Sequence, residues 1–109
     1  MELSQTGLLE IELQGVKGEK MEIIDEDHQI EIIVKALSSK TRREILRYIR
    51  GGPKDVSNIA KTLNMTEANI SAQIKKLEEA DLISCDYSSG LHGVRKLSKL
   101  KASSLRISF

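Results

Sequence analysis

Asn69 and Gln73 lie four residues apart in a stretch whose apolar positions recur at helical spacing, which puts both side-chain amides on one helix face. Each amide carries donors and an acceptor, the groups needed to read base edges in the major groove of a duplex. Ala68 and Ala72 on the same side are small enough to let a helix approach DNA closely. Lys75 and Lys76 can reach phosphates, and Thr66 stands where the helix should begin, ahead of backbone N–H groups that suit a phosphate oxygen. A merely solvated helix face would also be polar, so the surrounding elements must decide between the two.

Ile70, Ile74 and Leu77 form the apolar stripe that orients this helix and carry it to about Ala80. Upstream, Asp55 is placed to cap a short helix bearing Val56, Ile59, Ala60 and Leu63. Asn64 and Met65 break it, and asparagine tolerates the left-handed backbone that a tight turn demands. A short helix, a three-residue turn and a longer helix have helix-turn-helix proportions. Two further helices are predicted ahead of this pair. Ile30, Ile33, Val34 and Leu37 mark one over 27–37, with Asp25, Glu26 and Asp27 at its electropositive start. Ser38 and Ser39 can cap the next, which turns Ile45, Leu46 and Ile49 inward and is stopped by Gly51, Gly52 and Pro53.

After Asp81 the pattern becomes extended. Leu82, Ile83 and Cys85 open a strand, Ser88, Ser89, Gly90 and Gly93 provide a loop, and Val94 to Leu97 return as its partner. A hairpin directly behind a helix-turn-helix is a wing. Arg95 and Lys96, with His92 beside them, would let it lie along the DNA backbone or enter the minor groove, although an ordinary surface hairpin with incidental charge would look similar. Leu9, Ile11 and Leu13 alternate with Glu10 and Glu12, and Met21 and Ile23 flank Glu22, so 7–24 reads as two short strands around Gly15 and Gly18. Leu105, Ile107 and Phe109 alternate as well, and a last strand over 103–109 needs a neighbour that only the N-terminal strands can supply. The expected fold is therefore α+β, a winged helix-turn-helix of about four helices, a β-hairpin wing, and N-terminal and C-terminal strands. It forms one domain over 1–109: an acidic β-rich extension (1–26), a helical core (27–80), the wing (82–97) and the terminal strand (103–109).

Composition agrees with this frame. The 109 residues are enough chain for one domain and too few for two, and 39% hydrophobic with 30% charged residues is a globular balance. No apolar run approaches the roughly 20 residues of a membrane span, and no signal segment opens the chain, so a cytoplasmic protein is expected. A net charge of +1 conceals an asymmetry: residues 1–27 carry a balance of −6 and residues 28–109 a balance of +7. The stretch 87–109 holds Arg95, Lys96, Lys99, Lys101 and Arg106 without one acid, which points to a polyanionic partner. Neither a glycine-rich phosphate loop nor a nucleophile with a histidine partner is visible, so no enzymatic chemistry is expected. Tyr48, Tyr87 and Phe109 are too dispersed to form a base-stacking platform for single strands. The single cysteine, Cys85, gives neither an intramolecular disulfide nor a thiolate cluster; with Asp86 and His92 it could at most meet a metal across the wing, and a small packed residue is the better expectation. No cofactor is expected, and the isolated His28 is given no role.

The segment from Ala36 to Leu46, ALSSKTRREIL, resembles the opening signature of ArsR-type winged-helix transcription regulators. DVSNIAKTL resembles that family's second helix-turn-helix segment, and NMTEANISAQIKKLEEADLI its recognition helix and the approach to the wing. The likeness covers about residues 30–97, and the GLHGVRK segment followed by a terminal strand looks most like a small archaeal-type group of regulators. Carried over by position, the resemblance implies DNA contact by Thr66, Ala68, Asn69, Ser71, Ala72, Gln73 and Lys76, and by Arg95 or Lys96 in the wing. It also implies pairing of two copies through the first helix. Three positions depart from the pattern. Gln73 stands where many members have histidine, Asp81 where a helix-ending glycine is usual, and Glu67 puts a carboxylate at the front of the recognition helix. The metal-sensing members' cysteine pair on the third helix and ligands on a terminal helix have no counterpart here.

The expected function is a sequence-specific double-stranded DNA-binding regulator acting as a homodimer, since one recognition helix reads only a few base pairs and two-fold pairing doubles the footprint. The alternative is a winged-helix protein-protein interaction module that never touches DNA, with the acidic N-terminal block covering the basic surface or recruiting a basic partner. Control by a small ligand stays open, because no effector pocket is legible in the sequence.

Overall fold

Capping side chains set where three of the helices begin. In the computed structural model, which describes residues 9–90 and 93–109, the Ser39 hydroxyl accepts from the Arg42 N–H at 3.3 Å and starts α2, Lys40–Ile49. The Asp55 carboxylate accepts from Asn58 N–H at 2.8 Å and starts α3, Val56–Leu63. The Thr66 hydroxyl accepts from Asn69 N–H at 3.1 Å and starts α4, Glu67–Glu79. α1, Asp27–Leu37, begins without such a bond; Asp27 supplies negative charge to its first turn instead.

Both helices of the helix-turn-helix end in the same backbone device. Asn64 adopts φ 57° and Asp81 φ 63°, the left-handed region usually left to glycine. The Met65 N–H reaches back to Ala60 O at 2.9 Å and Leu82 N–H to Leu77 O at 3.2 Å, each pair spanning the last turn. The inner bonds, Asn64 N–H to Lys61 O and Asp81 N–H to Glu78 O, complete two Schellman motifs. Asp81 thus takes the left-handed conformation that glycine would, and α4 ends in the same motif as α3.

Ile30, Ile33 and Ala36 of α1 meet Ile45 and Ile49 of α2, Ile59 and Ala60 of α3, and Ile70, Ile74 and Leu77 of α4 in one apolar core. Val34, expected on the inner face of α1, is instead 45% exposed. The buried arc centres on Ile33, and Val34 lies about 100° further round the helix, so Ala36 takes the inward position.

Two antiparallel three-stranded sheets flank the helices. In the first, β1 (Glu10–Gly15) lies between β2 (Glu22–Ile24) and β6 (Ala102–Ser108), with Ile11 opposite both Ile24 and Ile107. The first and last strands are therefore joined as the alternation requires, and Ile11 and Leu13 of the central strand are buried in the core. In the second sheet the order is β3-β5-β4, with β3 Lys54–Asp55, β4 Ile83–Gly90 and β5 Gly93–Leu100. β3, two residues long, gives no period and escaped the sequence reading.

The wing is longer than expected. Ser88, Ser89 and Gly90, assigned to a loop, pair with Arg95, Val94 and Gly93, and β5 runs on past Leu97 to Leu100. The outer end is exposed on both faces, so it carries no apolar alternation to announce a strand. Gly93 supplies a φ of 100° near its tip. Eight residues at about 3.4 Å each give strands some 27 Å long.

Candidate nucleic-acid interface

Complete burial of Ile70, Ile74 and Leu77 fixes the rotation of α4 and leaves Thr66, Ala68, Asn69, Ser71, Ala72, Lys75 and Lys76 exposed. The remaining residue expected there, Gln73, is half-buried. It is drawn toward α2, where the Arg42 guanidinium donates to Gln73 Oε1 at 2.7 Å. Gln73 Nε2 in turn donates to Asn69 Oδ1 at 3.0 Å, and Asn69 Nδ2 faces Met65 Sδ at 3.7 Å. Arg42 is itself anchored, its Nε donating to Ala36 O at 2.7 Å and a terminal nitrogen to Lys35 O at 3.0 Å, at the C-terminal carbonyls of α1. The two amides are thus members of a bonded row rather than independently solvated groups. Arg42 had no place among the expected site residues, because a contact spanning 31 positions leaves no local signal.

Glu67 is engaged at the front of α4. The Ser57 hydroxyl donates to its Oε1 at 3.0 Å, tying the start of α3 to the start of the recognition helix. This gives the carboxylate a structural partner, and it also keeps a negative charge beside the N–H groups expected to face a phosphate.

The wing corrects the expectation of a free basic ribbon. Arg95 is ion-paired with Asp55, the cap of α3, and Lys96 lies 3.5 Å from Glu78 of α4. Lys99 meets Asp86 at 3.1 Å and Lys101 meets Asp81 at 2.6 Å. A stretch without acids in sequence has recruited its carboxylates from other elements, which a count along the chain cannot show. Asp55 titrates below the usual carboxylate range, first because Asn58 N–H donates to it and then because of Arg95. The hydrogen bond to Asp81 pushes Lys101 upward. Among the described residues Lys75 and Lys76 form no ion pair, so they are the free cations of the α4 face. His92 lies outside the described residues.

Cys85 is partly buried on β4, its sulfur 3.5 Å from the hydroxyl of the fully buried Ser98, and burial pushes its thiol upward. Asp86 follows it on the opposite face of the strand and pairs with Lys99, so the two do not converge on a metal. Among the described residues no helix is long and apolar enough to cross a membrane.

The family model described as "Bacterial regulatory protein, arsR family" matches residues 39–84, the stretch from the α2 cap into β4. The transcriptional repressor SdpR of Bacillus subtilis is 36% identical over 58 residues, 53% of this chain, and the match spans only 63% of that relative. A solved ArsR family transcriptional regulator is 30% identical with a TM-score of 0.57, covering 67% of this chain and 76% of its own. The homodimeric winged helix-turn-helix DNA-binding domain of a possible ArsR-family regulator from Mycobacterium bovis is 25% identical with a TM-score of 0.60, covering 67% of this chain and 64% of that one. The matched stretch holds α2, α3 and α4 and leaves the terminal sheet outside it. From fold, helix-turn-helix geometry and these relatives together, the chain belongs to the ArsR family of winged helix-turn-helix transcriptional regulators.

Proposed function

We propose that this chain binds double-stranded DNA in a sequence-specific way, as a homodimer, with α4 in the major groove and the wing against the backbone or minor groove. The observation that carries the proposal is the free face of α4. Thr66, Ala68, Asn69, Ser71, Ala72, Lys75 and Lys76 stand in solvent while the isoleucine side is sealed in the core. Thr66 and the first turn offer a phosphate its backbone donors, the alanines allow close approach, and the amides face base edges. Arg95 and Lys96 contribute by exchanging Asp55 and Glu78 for phosphates. Pairing of two copies draws support from Val34 on α1 and Ile107 on β6, both large apolar groups left 40% or more exposed. The GLHGVRK segment supports an archaeal-type member of the family, and action on DNA supports a cytoplasmic location.

One observation favours the other class. With its cations neutralised by Asp55, Glu78, Asp86 and Asp81, the wing is also a suitable surface for a protein partner. A gel shift against mixed genomic fragments separates the two. Retardation at low salt that weakens steeply toward physiological salt is expected of the regulator, whereas no retardation at low salt would leave the protein-interaction module.

A further inference from the structure

The row Arg42–Gln73–Asn69–Met65 has a fixed polarity, and that polarity restricts what α4 can read. Arginine carries donors only, so the Gln73 atom facing it must be the carbonyl oxygen. The amide nitrogen therefore points the other way, along α4, where it donates to the Asn69 carbonyl. That bond in turn settles Asn69, whose Nδ2 is the group left toward Met65 and solvent. An unconstrained glutamine or asparagine recognises adenine by accepting from N6 and donating to N7. Here each carbonyl oxygen is turned toward a donor inside the row, with one of its two lone pairs used, while Gln73 Nε2 and Asn69 Nδ2 each keep a hydrogen that the row does not use.

If α4 reads DNA as proposed above, we infer that Arg42 is the positioning residue that sets base preference, by locking the Gln73–Asn69 amides as a donor pair matched to guanine N7 and O6 and mismatched to adenine. Arg42 touches no base in this scheme. It acts from α2, held by the Ala36 and Lys35 carbonyls, so its own geometry is fixed before DNA arrives. Loss of the guanidinium leaves the Gln73 amide free to rotate and restores the acceptor-plus-donor face that adenine needs.

Selection from a randomised duplex library with the full chain tests this, the position read by Gln73 being located as the one whose preference disappears in Gln73→Ala. The wild type is expected to favour guanine over adenine there by about tenfold, within the range of one well-made base contact. Arg42→Met is expected to reduce that ratio to below about twofold, with preferences at other positions kept. A merely structural role for Arg42 would lower affinity evenly and leave the ratio unchanged. Should Arg42→Met fail to fold, Arg42→Ala serves, since it too removes every donor facing Gln73 Oε1, and the same loss of preference is expected. An adenine preference in the wild type, or an unaltered ratio in an Arg42 variant that still binds, overturns the inference and leaves DNA binding standing. No enriched sequence with the wild type overturns DNA reading itself, and this inference with it.

Discussion

At the residue scale, the useful distinction is between cations that are free and cations that are held. Lys76 is exposed and unpaired among the described residues, so Lys76→Ala should weaken binding to every duplex alike and lower the salt slope by about one, as read by anisotropy titrations across salt. Arg95→Ala should cost less, because forming the phosphate contact first breaks a bond to Asp55. Equal losses for the two variants would contradict this. Asp55 carries its own prediction. Its carboxyl is depressed by Asn58 N–H and Arg95, so it stabilises the fold above its unfolded value and ceases to as pH falls through the lower folded one. Asp55→Ala should therefore cost about 1 kcal/mol at neutral pH as a lost helix cap. The gap to wild type in urea melts should narrow as pH drops below about 4. A gap independent of pH would show that charge plays no part.

At the element scale, the helix-turn-helix depends on two left-handed residues that are not glycine. Asn64 tolerates φ 57° because its short amide side chain meets little of the clash that a branched Cβ would. Asn64→Gly is expected to leave stability within a few tenths of a kcal/mol, and Asn64→Val to cost about 2 kcal/mol, by thermal or chemical denaturation. Comparable effects for both would mean that the turn between α3 and α4 is not conformationally selected. These elements were well marked in the sequence. Ser39, Asp55 and Thr66 cap where their residue types said they would, and Ile70, Ile74 and Leu77 fixed the rotation of α4. The outer wing was hidden, since Ser88 to Gly90 have no buried face and hence no period. The site was half legible. Positions 66–76 could be laid out from helical spacing, but the capture of Gln73 by Arg42 and of Arg95 by Asp55 joins residues 31 and 40 positions apart, which only the assembled fold brings together.

At the scale of the whole molecule, the described residues extend over 62 × 27 × 19 Å, and the first and last strands pair in the sheet β2-β1-β6. Ile11 and Leu13 on the central strand bind that sheet into the helical core, so deletion of residues 102–109 should uncover both and the β1 edge. The expected result is a lower melting temperature and a tendency to aggregate, seen by scattering during a thermal scan. An unchanged melt would mean that the terminal sheet is an appendage. The same sheet carries the acidic end of the charge asymmetry, with Glu10, Glu12 and Glu22 among its residues. The free cations Lys75 and Lys76 lie on α4, which sets the terminal sheet apart as the surface least suited to DNA.

The most direct test is to titrate the isotope-labelled full chain with the duplex recovered from selection and follow every backbone amide by NMR. Shifts concentrated on Thr66 to Lys76, with a smaller set at Arg95 and Lys96, are expected if α4 enters the groove. Shifts centred on the terminal sheet, or an α4 that ignores the duplex while other surfaces respond, would contradict it.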